Sequence, residues 1–183
     1  MKQKEETAIV LEFLPNGYST DTRPSHRKTA IAQALGKTRF TLLELVPKKD
    51  VFLNIGQEVY IGDGKRDEIH HILGKLTYDK LTSTAKTNLE YVLDELIDEN
   101  EERFVAFFNN AQPMSLRMHQ LELLPGLGKK HMHAILEARE EKEFESFEDI
   151  KKRVKLMPDP KAVIKKRILN ELEGLEKHRI FTD

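Results

Sequence analysis

Leu121-Glu122-Leu123-Leu124-Pro125-Gly126-Leu127-Gly128-Lys129-Lys130-His131-Met132-His133-Ala134-Ile135-Leu136 decides how the chain is read. The run predicts a helix, a tight hairpin and a second helix. Leu121 and Leu124 lie one helical turn apart and can share a buried face. Pro125 stops the first helix. Gly126 and Gly128 allow backbone conformations and close approaches that a Cβ atom would block. Met132, Ile135 and Leu136 recur at helical spacing after the hairpin. Lys129 and Lys130 open that second helix, although a helix N-terminus favours acids. Its unbonded N–H groups form an anion site, so two lysines there fit a neighbouring phosphate.

At these residues the chain resembles the helix-hairpin-helix modules that bind nucleic acids. The likeness rests on the hydrophobic positions, on Leu124-Pro125-Gly126-Leu127-Gly128, and on Ala134 and Ile135. It implies contact with a phosphate backbone, independent of base sequence, through the hairpin amides of Gly126, Leu127 and Gly128. It also implies a monovalent cation held by hairpin carbonyls, by position those of Glu122, Leu124 and Leu127. An ordinary αα-hairpin is the plainer reading of the same residues.

The tail repeats the pattern. Setting Val154–Lys161 against Leu121–Gly128 places Pro158 on Pro125, Met157 on Leu124 and Ile168 on Ile135. Asp159 and Pro160 suit a new helix start, and Ile164, Ile168 and Leu172 form its stripe. Ser146 caps a short helix between the copies, with Phe147, Ile150 and Val154 on its apolar face. Ser115 is expected to cap the first helix of the first copy. The second copy lacks both glycines, so its part is to complete a core, with Lys161, Lys165, Lys166 and Arg167 adding charge.

Upstream the period changes. Thr7–Leu14, Thr29–Leu35, Arg39–Val46, Glu58–Ile61 and Ile69–Leu76 read as short strands, the last two joined by the hairpin signal Asp63-Gly64. Five strands at this spacing predict a small OB-like β-barrel. The polar loop after the first strand carries Tyr18, Arg23, His26, Arg27 and Lys28. It is a solvated loop in composition, and Arg23, Arg27 and Lys28 with one aromatic also suit phosphate contact and base stacking. From Thr82 the pattern is helical, with capping-box spacing at Thr87-Asn88-Leu89-Glu90. Leu89, Val92, Leu93, Leu96 and Ile97 form its apolar face. Phe104, Phe107 and Phe108 follow and read as core. The expected fold is α+β: an OB-like domain over residues 1–81, an acidic helical linker over 82–112, and a tandem helix-hairpin-helix domain over 113–183.

Composition agrees. The chain has 183 residues, 39% hydrophobic and 33% charged, with a net charge of −1 and no cysteine. Disulfides, thiolate metal sites and cysteine nucleophiles are therefore excluded. No apolar run approaches a membrane span, and the polar start from Met1 is unlike a signal peptide. A cytoplasmic protein without membrane contact is expected. Mildly basic ends flank the acidic middle, so nucleic acid would be met by local patches.

No catalytic centre is visible. Asp63, Asp67, Glu68, His70 and His71 cluster in sequence, but neighbours on a strand point to opposite faces, which separates the two histidines. His131 and His133 diverge on a helix in the same way, and His119 stands apart before the hairpin. Nucleotide-loop, zinc-protease and hydrolase-elbow motifs are missing. No enzyme activity and no cofactor are expected.

Over nearly its whole length the chain resembles the archaeal DUF655 family, in the order of segments and in Leu124–Gly128, Phe147–Val154 and Leu156–Pro160. That family pairs an N-terminal β region with a C-terminal helix-hairpin-helix region and is expected to bind RNA, without an established activity. The resemblance favours RNA over DNA, whereas the hairpin module alone would suit DNA equally. The rival expectation is an interaction scaffold for ribosomal or transcription proteins, using the acidic helix.

Overall fold

The computed structural model describes residues 4–183. It is a mixed α+β fold of five strands and five helices, arranged as two compact units. Among the described residues, 4–93 and 170–183 form one, and 94–169 form the other.

In the first unit, β1 (Thr7–Leu14), β2 (Ile31–Gly36), β3 (Leu42–Pro47), β4 (Glu58–Tyr60) and β5 (Ile69–Lys75) form one antiparallel sheet, curled into a half-barrel. Its order is β4-β1-β2-β3-β5. The strands lie close to where alternation places them, but the expected β4–β5 hairpin does not form. β4 pairs with β1, and β5 pairs with β3 at the far edge. Side chains divert the Asp63-Gly64 turn. The Tyr60 hydroxyl accepts the Gly64 amide at 3.0 Å, and Arg66 Nε donates to the Gly62 carbonyl at 2.8 Å. A Cβ on Gly62 would meet the Tyr60 hydroxyl at 2.4 Å, so a side chain there would displace the Tyr60 ring from this contact.

Ala8, Val10, Ala32, Ala34, Leu45 and Ile69 build a dry core on one face of the sheet. β2 is buried along its whole length. Its Gln33 is fully buried yet satisfied: its amide donates to the Tyr18 hydroxyl and the Lys80 carbonyl, and its oxygen accepts the Thr82 amide. Three register shifts interrupt the ladders: one in β1 near Leu11, and two between β3 and β5 that leave Leu73 and His70 as extra residues.

α1 (Ser83–Glu99) begins four residues before the expected capping box. Thr82 is the cap, its Oγ1 accepting the Ala85 amide at 3.1 Å. Thr87 sits inside the helix and donates back to the Ser83 carbonyl. Asn88 ties α1 to the sheet through the Leu11 carbonyl at 2.9 Å.

The second unit contains the end of α1, α2 (Glu101–Asn110), α3 (Lys129–Glu141), α4 (Phe147–Arg153) and α5 (Pro160–Leu172) as far as Leu169. Phe104, Phe108, Leu121, Ile135, Ile150, Ile164 and Ile168 are fully buried and form its core. Ser146 caps α4 as read from sequence, accepting the Asp149 amide at 3.0 Å. Arg139 closes the end of α2 by donating to the carbonyls of Phe108 and Ala111.

The last residues of the first unit hang on one side chain. Glu171 is buried, and its Oε1 accepts the amides of Ile180, Phe181 and Thr182 and the Thr182 hydroxyl at 3.0–3.2 Å. Glu171→Ala strands three backbone amides and should destabilise the protein by about 3–5 kcal/mol. Urea unfolding of the pure variant measures this, and a loss below about 1 kcal/mol would show that the tail adapts without the carboxylate.

Candidate nucleic-acid interface

No α-helix precedes the hairpin. The segment after α2 closes through a bridge between Pro113 and His119, followed by a single 3-10 turn over Gln120–Leu123. Ser115 therefore caps no helix. Its hydroxyl instead accepts the amides of Arg117 and Met118 at a tight loop tip. The cap of the 3-10 turn is His119, whose Nδ1 accepts the Leu121 amide at 3.1 Å. Glu122 Oε2 reciprocates by accepting the His119 amide at 2.8 Å. Periodicity could not reveal this pair, because a histidine is not among the usual capping residues.

The two hairpin glycines differ. Gly126 has φ +80, which only glycine adopts without strain. Gly128 is extended at φ −100 and precedes α3 as its N-cap. A Cβ added there would meet nothing within 4 Å, so neither conformation nor space inside the chain demands glycine. Gly128 offers α3 no side-chain oxygen, and the first-turn amides of Lys129, Lys130 and His131 have no intrahelical acceptor. Leu127 is buried, and its amide turns back to the Leu124 carbonyl at 3.3 Å. Leu127 thus anchors the hairpin rather than presenting an amide outward.

Lys129 and Lys130 also part company. Lys129 Nζ is 2.8 Å from Glu122 Oε1 and donates to the Arg117 carbonyl at 2.8 Å. This ion pair holds the Glu122 carboxyl below its ordinary range, helped by the His119 amide. Lys130 is exposed, and its side chain makes neither a hydrogen bond nor an ion pair among the described residues. Of the proposed cation ligands, the Leu124 carbonyl already accepts the Leu127 amide. The neighbouring Leu123 carbonyl receives the buried Arg167 guanidinium at 2.8 Å, so a cationic side chain of the protein itself already serves this hairpin.

α5 starts at Pro160, where Asp159 and Pro160 place a helix start. Lys161 pairs with Asp98 at 2.8 Å, and Lys165 with Asp94 at 3.1 Å. These lysines are occupied within the unit, and they neutralise part of the acidic face of α1. Leu156 has φ +61 and is 94% exposed. A left-handed leucine costs about 1–2 kcal/mol, and here its side chain recovers nothing by burial. His131 Nε2 lies 3.1 Å from its carbonyl.

The loop between β1 and β2, in the other unit, is partly committed. Arg23 clasps Asp21 through Nε and Nη2, and this contact holds the Asp21 carboxyl down to about 2. Arg27 closes a 3-10 turn over Ser25–Arg27 and is exposed, with Lys28 next to it. The Tyr18 hydroxyl is engaged within the fold. It donates to Glu44 Oε2 at 2.9 Å and accepts Gln33, and burial pushes it up to about 12.

The histidines of β5 are together, not apart. His70 is the extra residue of a bulge, so alternation fails and the Nδ1 atoms of His70 and His71 lie 2.8 Å apart. Among the described residues no group of three or more histidines or carboxylates is placed to hold a metal ion.

Burial holds the His119 imidazole below its ordinary value; the Arg139 charge adds to this and Glu122 opposes it. The folded chain therefore favours the neutral ring, whose Nδ1 accepts the Leu121 amide. That stability is full above the ordinary imidazole value near 6.5 and is lost as pH falls below it. His119→Asn keeps a capping oxygen without titrating. Thermal midpoints of the variant should fall less steeply than the parent's on acidification below pH ~6.5; parallel slopes would rule out this cap as the acid-sensitive element.

A family model described as a protein of unknown function (DUF655) matches residues 4–183. The chain is 44% identical over 177 residues to the uncharacterized protein MJ0038 of Methanocaldococcus jannaschii, a match spanning 97% of this chain and 78% of that protein. The crystal structure of Af1531 from Archaeoglobus fulgidus, also of DUF655, is similar at a TM-score of 0.90 and 45% identity, covering 98% of this chain and 100% of that one. With a match along almost its entire length and the same fold in a solved relative, this chain belongs to the DUF655 family.

Proposed function

We propose that this protein binds nucleic acid, RNA in preference to DNA, by gripping the phosphate backbone at the hairpin before α3, without catalysing a reaction. The observation that carries the reading is the start of α3, where Gly128 brings no capping side chain to the amides of Lys129, Lys130 and His131, its own amide reaching His131 Nδ1 at 3.5 Å. A serine or aspartate at position 128 would fit the space and stabilise the helix, yet the position is glycine. The first-turn amides stay open beside the unpaired Lys130. A phosphate oxygen would complete the missing cap. In this reading the hairpin is of the helix-hairpin-helix kind. Lys130 and the first-turn amides hold the phosphate, and Gly126 and Leu127 shape the turn. Lys129 fixes Glu122 and the preceding loop. No step requires a monovalent cation.

The half-barrel is read as OB-like. In OB folds the loop between the first two strands contacts oligonucleotides, and here that loop carries Arg27 and Lys28, with Arg23 held by Asp21. This, with the family resemblance, is the ground for RNA. The protein is read as archaeal and cytoplasmic; among the described residues no helix is long and apolar enough to cross a membrane. A scaffold role for the acidic helix is less favoured, because Asp94 and Asp98 are already paired with lysines of α5.

Gly128→Asp tests the reading, since the new carboxylate would cap α3 itself and repel phosphate. Thermal stability should rise slightly, by a few tenths of a kcal/mol, while affinity for labelled RNA falls about tenfold or more. Lys130→Glu should weaken binding to all sequences and flatten the dependence of log affinity on log salt by roughly one phosphate contact. Anisotropy titrations with single- and double-stranded RNA and DNA across a salt series read both effects. Unchanged affinity in both variants, or no binding by the parent at low salt, overturns the proposal.

A further inference from the structure

Two leucines near this hairpin stand exposed, with no side-chain burial against the described residues. Leu116 is fully exposed at the tip of the loop between α2 and the 3-10 turn, and Leu156 is almost as exposed before α5. Neither is an accident of a loose chain. The Leu116 loop is closed by the Pro113–His119 bridge, and the Met118 carbonyl accepts the amides of Met114 and Ser115 at 2.8 and 3.1 Å. Lys129 then fastens the loop to the start of α3 through the Arg117 carbonyl. Leu156 is held in a left-handed conformation that glycine or asparagine would adopt more easily, and its carbonyl meets His131. Lys129 and His131 are two residues apart and point about 200° apart around the helix. The two apolar tips therefore flank the first turn of α3, with Lys130 between their anchor points.

The charge around them is net positive. Residues 113–133 and 155–159 carry Arg117, Lys129, Lys130 and Lys155 against two acids, Glu122, which pairs with Lys129, and Asp159. An apolar pair set in basic surroundings suits a polyanion that also offers flat apolar faces. Paired bases hide those faces by stacking; unpaired or bulged bases expose them.

We propose that Leu116 and Leu156 are apolar wedges that contact the faces of unpaired bases on either side of the gripped phosphate, so that the protein selects nucleic acid with a bulge or a single-stranded junction. This inference rests on the function proposed above and specifies its substrate class.

The test compares a labelled fully paired RNA hairpin with the same hairpin carrying an unpaired bulge. The full-length protein should prefer the bulged form. Leu116→Ser and Leu156→Gly should each reduce that preference about fivefold or more, while the salt slope on the paired form stays as in the parent. Leu156→Gly should at the same time raise the thermal midpoint, because the left-handed strain is relieved. A purely structural leucine would not lower binding while raising stability. Equal binding of both hairpins by the parent overturns this inference and leaves phosphate gripping intact. Equal weakening of both forms in the variants also overturns it, since the leucines would then only shape the site. If the parent binds neither RNA but co-floats with anionic-lipid vesicles in a leucine-dependent way, both this inference and the nucleic-acid reading fail.

Discussion

The hairpin depends on one carboxylate. Glu122 uses one oxygen to hold the His119 amide and the other to hold the Lys129 ammonium, both at 2.8 Å. There is no preceding α-helix to fix the direction of the turn, and a single 3-10 turn has little cooperativity of its own. The carboxylate substitutes for that helix by tying the entry of the turn to the first residue of α3. Lys129 passes the constraint on to the Arg117 carbonyl and thus to the outer loop. Through these contacts Glu122 keeps the amide-bearing end of α3 clear of its own chain and facing solvent.

Much of the fold was legible in sequence, because burial enforces periodicity. The five strands fall within two or three residues of where alternation places them, and Phe104 and Phe108 are core, as their helical spacing indicated. Ser146 was legible as a cap because its chemistry is strictly local. The failures share a cause as well. The Asp63-Gly64 turn looked like a hairpin because turn chemistry specifies a bend, not the strand that the chain pairs with next. Tyr60 and Arg66 decide that, and their reach is invisible to periodicity. His70 and His71 were assigned to opposite faces because alternation assumes an unbroken ladder. The bulge breaks it at that very residue.

The candidate site was legible in composition but not in allegiance. Of the nine basic residues singled out from sequence, Arg23, Lys129, Lys161, Lys165 and Arg167 are engaged by the chain itself. The side chains of Arg27, Lys28, Lys130 and Lys166 have no hydrogen bond or ion pair among the described residues. A sequence shows how many cations a segment carries. Only the packing shows which of them are already neutralised, and thus which contribute to the field a ligand meets. The exposed leucines went unnoticed for the complementary reason. Leu116 and Leu156 are ordinary hydrophobic residues in a helical sequence context, and only solvent on all sides makes them unusual.

The two register shifts on β5 bear on how this protein behaves at high concentration. A curled sheet that does not close leaves β4 and β5 with outer hydrogen-bonding groups, a standing template for strand addition and fibrillar growth. β4 spans only Glu58–Tyr60 and offers little length. β5 is longer and carries an exposed Leu73, but its extra residues at His70 and Leu73 spoil the even spacing that an incoming chain would need. The same irregularity that brings two histidines together thus makes the half-barrel resistant to self-association through its open side.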